Sequence, residues 1–147
     1  MKVIVQRSNK SSVSVDHEII GKIDNGLVVL VGFTQDDNID DINYIIKKVV
    51  NLRIFDDENG VMNKSILDVN GQILSISQFT LYADTKKGNR PSYIKALNGN
   101  EAIKLYEIFN DKLKEYVPVE TGKFGAEMIV NIQNNGPITI IIVSKNK

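Results

Sequence analysis

The sequence predicts an α+β fold: a single sheet-dominated domain over residues 1–147, with two helices. Three observations carry the prediction. Period-two alternation opens the chain and runs of strand formers close it. Only two stretches have helical spacing. No linker, internal repeat or low-complexity tract divides the residues.

Alternation in residues 2–7, 11–15 and 19–23, followed by the apolar run GLVVLVGF from Gly26, gives an opening set of strands with short turns, the pattern of an antiparallel meander. His17 falls at a hairpin tip within SVSVDHEIIGKI. Next, TQDDNIDDINYIIKKVVNL supplies capping residues at Thr34 to Asp37, and Ile39, Ile42, Ile45, Ile46, Val49 and Val50 share one face of a first helix. After RIF comes the turn DDENG. Asn70-Gly71 then introduces QILSISQFTLYA, whose Ile73, Leu74, Ile76 and Phe79 mark a central strand. The polar loop DTKKGNRPS follows, and Ile103, Tyr106, Ile108, Phe109 and Leu113 place a second helix over Glu101 to Tyr116. Two strands, AEMIVNIQ and ITIIIV, close the chain around NNGP.

Composition narrows the chemistry. With 42% hydrophobic and 24% charged residues and no apolar run long enough to cross a membrane, the expected class is a soluble globular protein. The start, MKVIVQRSNK, reads directly as a strand without a signal-peptide pattern, so the expected location is cytoplasmic. Cysteine is absent, which excludes disulfides, thiolate nucleophiles and cysteine-based zinc sites. With one histidine, at a turn, a Ser-His-Asp triad and a multi-histidine metal site are poor fits, and neither metal nor cofactor is expected. Lys plus Arg equals Asp plus Glu at 18 each, so no global field gathers a long polyanion; a local basic patch remains open.

Three stretches carry more than pattern. In SQFT, the polar Ser77, Gln78 and Thr80 flank Phe79 where a buried strand prefers apolar residues. Either they alternate onto a solvated face, or the strand ends beside a pocket whose unpaired main-chain N–H groups form an oxyanion hole. In KKGNRP, Lys86, Lys87 and Arg90 surround a glycine, either simply solvated or in contact with the phosphates of a nucleic-acid end. In NNGPIT, Asn135-Gly136 reads as a tight turn with Pro137 opening the next strand; alternatively Gly136-Pro137 presents rigid carbonyls to a ligand.

SQFTLYAD, KKGNRPSY, TGKFGAEM and NNGPIT occur in the order seen in D-aminoacyl-tRNA deacylases, whose hallmarks are an SQ-x-T motif and a C-terminal Gly-Pro. VIVQRSNKSSVSV and LRIFDDENGVMNKSI are similar to that family as well, so the resemblance spans essentially the whole chain. One departure is Asn135, where many members carry an acidic residue.

The resemblance implies a barrel-like α/β domain related to the editing domain of archaeal threonyl-tRNA synthetases. It implies an editing hydrolase, without cofactor, that cleaves the ester between a D-amino acid and the 3′-terminal ribose of tRNA. It further implies a homodimer in which the cis Gly136-Pro137 of each protomer enters the other's pocket, holds the substrate α-amino group through its carbonyls and leaves no room for an L side chain. Such a device acts on what all amino acids share, so D side chains of many kinds are accepted and glycyl-tRNA is hydrolysed to some extent.

By the same resemblance Ser77, Gln78, Phe79 and Thr80 line the catalytic pocket, Arg7 and Met128 border it, and Lys86, Lys87 and Arg90 meet tRNA. Nothing near Thr80 in sequence activates it as a nucleophile, which favours help from the ribose 2′-hydroxyl. The rival from another class is a nucleic-acid-binding protein that keeps the fold without catalysis. A second rival is a relative with a trans Gly-Pro that accepts some L-aminoacyl-tRNA.

Overall fold

A computed structural model describes residues 1–145. Ten strands and two α-helices form three layers. The central layer is a five-stranded mixed sheet of β1 (Lys2–Ser8), β4 (Gly26–Gly32), β7 (Gln72–Ser77), β8 (Val119–Thr121) and β10 (Asn134–Val143), in the order β10-β1-β4-β7-β8. A three-stranded sheet, β3 (Glu18–Ile23), β2 (Ser11–Val15) and β9 (Ile129–Asn131), covers part of one face. Helices α1 (Ile39–Asn51) and α2 (Gly99–Leu113) pack against the other. A small hairpin of β5 (Phe55–Asp56) and β6 (Met62–Lys64) completes the set.

Alternation along the strands sorts the side chains into two cores. Val3, Val5, Leu27, Val29, Val31 and Ile73 face the helices and meet Ile42, Ile45, Ile46, Val49, Val50, Phe109 and Leu113. Val28, Leu74 and Ile76 point the other way, onto Val13 and Ile23 of the small sheet. Each fully buried aliphatic side chain contributes roughly 1.5–3 kcal/mol.

The expected meander is a nested arrangement instead. β1 pairs antiparallel with β4, and the β2–β3 hairpin between them folds over into the second sheet. Asp16 and His17 form its tip with positive φ angles of 50° and 67°, the values a tight turn needs there. β7 is central, as its apolar run implies, but lies parallel to both β4 and β8.

The first helix starts later than the capping residues Thr34 to Asp37 suggested. Asn38 is the N-cap, accepting from the Asp40 amide, and the Asp41 carboxylate accepts from the Asn38 amide to close a capping box. Ile39 is 42% exposed and lies off the buried face. The other end of Asp41 accepts from Ser144 Oγ at 2.6 Å and Lys145 Nζ at 3.2 Å, tying α1 to the chain's end. The second helix, placed at Glu101 to Tyr116, runs over Gly99–Leu113 with Asn98 as its cap.

Candidate functional site

β4 and β7 run parallel, so their carboxyl ends emerge at the same margin of the sheet, the usual place for a cleft in mixed and parallel sheets. The last paired residues are Val31 and Ser77, after which the Gln78 amide donates to the Val31 carbonyl at 2.7 Å. The strand stops there. Gln78, at φ −144° and ψ 80°, turns the chain into a single 3-10 turn over Phe79–Tyr82. The expectation of a strand running on through SQFTLYA is thus corrected at Ser77, and of its two readings the one in which the strand ends beside a pocket describes the geometry. A Cβ on Gly32 would stand 3.0 Å from the Gln78 carbonyl and 3.1 Å from Leu81 Cβ, so glycine allows the turn to lie against β4.

The cleft has a volume of about 610 Å³. That lies within the usual range for a small-molecule cleft. Its floor is Val31, Gly32, Ile76, Ser77 and Gln78; Phe79 and Tyr93 stand at the mouth with ring centroids 5.1 Å apart at 72°. Met128 and Val130 close one side from the small sheet, and Phe124, Gly125 and Ala126 another. Segment 93–97 is clamped to 33–35: the Leu97 amide donates to the Phe33 carbonyl, and Gln35 Nε2 to those of Ile94 and Ala96, each at 3.2 Å.

None of the residues lining this cleft is Asp, Glu, Lys, Arg or His. The chemistry open to it is therefore positional: hydroxyl and amide dipoles from Ser77, Gln78, Tyr93 and Asn98, and the leading amide of the 3-10 turn, that of Phe79, which has no acceptor within the turn. The Gln78 amide is already used inside the sheet, so the free donors begin at Phe79. Thr80 is not part of the cleft wall. Its Oγ1 accepts a hydrogen bond from Gln78 Nε2 at 2.6 Å, which orients the amide and gives the hydroxyl no base to receive its proton.

Beneath the cleft, Ser75 is fully buried; its Oγ donates to Asn110 Oδ1 at 2.7 Å, and Tyr106 OH donates to the Ser75 carbonyl at 2.8 Å. Burial pushes the Tyr106 hydroxyl pKa above its ordinary value, opposed by its hydrogen bonds to Ser75 and Asn110. Tyr106 in turn packs on the cleft residue Phe124, with centroids 5.9 Å apart.

Gly136 and Pro137 lie elsewhere. β9 and β10 are consecutive but belong to different sheets, β9 pairing with β2 and β10 with β1, so NNGP is not the hairpin turn its Asn-Gly suggested. It is an exposed kink inside the edge strand β10, where the register with β1 shifts between Gln6 and Ser8. Gly136 has a φ of +122°, and the Gly136–Pro137 peptide bond is cis. Asn134 straps the kink, its Nδ2 donating to the carbonyls of Arg7 at 2.9 Å and Ile138 at 3.0 Å. Arg7 Nε donates to the Asn135 carbonyl at 3.3 Å and Nη1 to that of Ile54 at 2.9 Å.

Of the residues singled out from the sequence, the structure brings Ser77, Gln78, Phe79 and Met128 together in one cleft, with Thr80 immediately behind. Arg7 borders a separate hollow, with Asn135 on its rim, and Gly136 and Pro137 are not in the cleft of their own chain. Lys86, Lys87 and Arg90 project from the exposed loop pinched off by mutual hydrogen bonds between Asp84 and Ser92. Sequence reasoning passed over Gly32, Ala96, Leu97 and Asn98. Ala96, Leu97 and Asn98 carried one signal, the run of small and polar residues around the helix cap, which does not show which wall it faces; Gly32 showed only as the glycine near the end of an apolar run.

Three comparisons bear on this geometry. Residues 4–143 match the family model described as D-Tyr-tRNA(Tyr) deacylase. A D-aminoacyl-tRNA deacylase of Clostridium novyi (strain NT) is 57% identical, aligned over 100% of this chain and 99% of its own. A solved structure described as c-Myc DNA Unwinding Element Binding Protein is 41% identical, covering 97% of each chain, with a TM-score of 0.92. Another, described as a probable eukaryotic D-amino acid tRNA deacylase, is 16% identical and has a TM-score of 0.82 over 96% of this chain and 97% of its own, a likeness of fold.

Proposed function

This chain belongs to the D-Tyr-tRNA(Tyr) deacylase family and is a hydrolase of D-aminoacyl-tRNA, and from that premise we propose how its residues divide the work. The 3′-terminal aminoacyl-adenosine occupies the cleft, with the ester carbonyl facing the amide of Phe79 and the polar side chains of Ser77 and Gln78 beside it. Water adds to the carbonyl carbon, the bond to the ribose 3′-oxygen breaks, and the proton lost by water reaches that oxygen by way of the neighbouring 2′-hydroxyl. The products are a free D-amino acid and uncharged tRNA.

The observation that carries this reading is the absence of any acid, base or cation among the residues lining the cleft. An aminoacyl ester is already activated, so an oriented water and a stabilised oxyanion suffice; one preorganised donor is typically worth about 3–4 kcal/mol. Less reactive substrates need more.

Gly136 and Pro137 complete the cleft of a second copy of the chain in a two-fold dimer. Two features support this. The kink is exposed in an edge strand and does not line its own cleft. In addition, a row of apolar side chains, Ile141, Ile4 and Leu30, crosses the sheet toward Ile76 in the cleft, and Ile141 is 64% exposed at its outer end. Inserted there, the Gly136 and Pro137 carbonyls receive the substrate α-amino group and the main chain excludes an L side chain. Arg7 holds the adjoining Asn135 carbonyl and acts on this device from behind. Glycyl-tRNA, having no side chain to exclude, is a further substrate. Lys86, Lys87 and Arg90 contact tRNA phosphates, and the enzyme works in the cytoplasm.

The test is release of tyrosine from D-tyrosyl-tRNA and L-tyrosyl-tRNA in parallel, with Gly136→Ala and Pro137→Ala beside the wild type. Hydrolysis of the D ester alone, with rate or selectivity lost in the variants, supports the reading. Equal cleavage of both esters refutes the chiral role of Gly136-Pro137. The name of the 41% identical structure favours a second reading, DNA binding. The balanced charge, 18 against 18, opposes tight duplex binding. Fluorescence anisotropy with a labelled duplex decides it: saturable binding at physiological salt would support that alternative.

A further inference from the structure

The terminal nucleoside in the cleft is joined to the rest of a single-stranded end, and that strand has to leave across the cleft mouth. The mouth is apolar on one side. Phe79 and Tyr93, 55% and 42% exposed, form its edge, and next to Tyr93 stands Ile94, the most exposed of the large hydrophobic side chains at 79%. Its side chain does not line the cleft, and its main chain is held independently by Gln35.

Immediately before Tyr93, the Asp84–Ser92 bridge pinches off the loop that carries Lys86, Lys87 and Arg90. Lys95 pairs with Asp84 at 3.5 Å, while the three loop cations make no ion pair among the described residues. An exposed aromatic and aliphatic edge flanked by unpaired cations is the composition that holds single-stranded nucleic acid, bases against the apolar faces and phosphates against the charges.

We propose that Tyr93 and Ile94 form a platform for the unpaired nucleotides next to the 3′-terminal one, with Lys86, Lys87 and Arg90 meeting their phosphates. The inference rests on the deacylase reading and adds to it a second binding site, running outward from the cleft mouth at Tyr93, that is insensitive to the amino acid. Because stacking and phosphate contacts read no base edge, the site serves every tRNA alike.

The test compares two D-tyrosyl esters, one of full-length tRNA and one of adenosine alone, with Ile94→Asp and Ile94→Arg beside the wild type. Ile94→Asp removes the apolar face and sets a carboxylate against the phosphates; Ile94→Arg keeps a stacking surface and adds a cation. For Ile94→Asp the expected result is a loss of about tenfold in kcat/KM on the tRNA ester, carried by KM, with the adenosine ester unchanged. Ile94→Arg is expected to match or exceed the wild type on tRNA. Equal losses on both esters, no loss on tRNA, or a fall in molecular mass of Ile94→Asp by light scattering would each overturn the platform. A wild type that cleaves neither ester overturns the deacylase reading itself, and the platform with it.

Discussion

Replacing Thr80 by alanine separates two mechanisms for the same ester. The hydroxyl lies directly after the leading amide of the 3-10 turn, and among the described residues its one polar partner is Gln78 Nε2 at 2.6 Å. A donor at that distance holds the oxygen's lone pair and offers no route for its proton, so Thr80 positions Gln78. Deleting a neutral hydrogen bond costs about 0.5–1.5 kcal/mol, and the partly exposed Gln78 amide is then solvated, so the expected fall in rate is roughly two- to tenfold. A covalent role predicts far more: removing a catalytic serine from a protease costs roughly a million-fold. Single-turnover release of tyrosine from D-tyrosyl-tRNA measures the loss, and intact-mass spectrometry after acid quench looks for an acyl-enzyme. A loss beyond about a thousandfold, or an adduct on Thr80 in the wild type, would refute this account.

Four further outcomes follow from named contacts. With no Asp, Glu, Lys, Arg or His lining the cleft, kcat/KM between about pH 5.5 and 8.5 is expected to follow at most one ionisation, that of the substrate α-amino group; a bell would require a second group titrating in that range, which the cleft lining does not supply. Gly136→Ala sets a Cβ 2.7 Å from Ile138 Cγ1 and 2.9 Å from its amide at a φ of +122°, so the kink must shift; selectivity for D over L is expected to fall at least about tenfold alongside some loss of thermal stability, and unchanged selectivity counts against the device. Gly122→Ala brings a Cβ into collision with Met128 Sδ, the flexible end of a cleft side chain; the sulfur is expected to move into the cleft, raising KM several-fold with little change in stability. For Asp41, burial resists ionisation, but Ser144, the Asn38 amide and Lys145 outweigh it and hold the carboxyl at about 2 against 3.8. A depressed pKa stabilises above 3.8 and is lost as pH falls toward 2, so in denaturant titrations Asp41→Asn is expected to be about 2 kcal/mol less stable at pH 7 and equal to the wild type near pH 2.

How far the chain can be read without coordinates depends on the range of each interaction. The buried stripe of α1 and the hairpin tip at His17 rest on neighbours in sequence, and both stand where periodicity and turn chemistry place them. Strand partners do not. Lys2 opposite Gly32, with a hairpin folded away between them, is a choice among long-range pairings that alternation leaves open. Ser77 to Thr80 were legible as residues out of place in a buried strand, yet only the backbone angles of Gln78 show that the strand ends there. Asn135-Gly136 misled because its local preference for a tight turn is overridden by the pairing of β10 along β1. Arg7 and Met128 were joined to one pocket by resemblance; in the folded chain they belong to different hollows.

One continuous stretch, from Met128 in the cleft wall through β9 and β10 to the exposed Gly136, links features that face different ways. Genetically, this makes the two inseparable. A single-residue insertion or deletion inside either strand would turn the side chains that follow it in that strand to the opposite face, so the length of these strands is under tighter constraint than the identity of most residues in them. Drift in this lineage should therefore appear as substitutions at exposed positions such as Asn131 and Gln133, with gaps confined to loops such as 57–60 and 85–91.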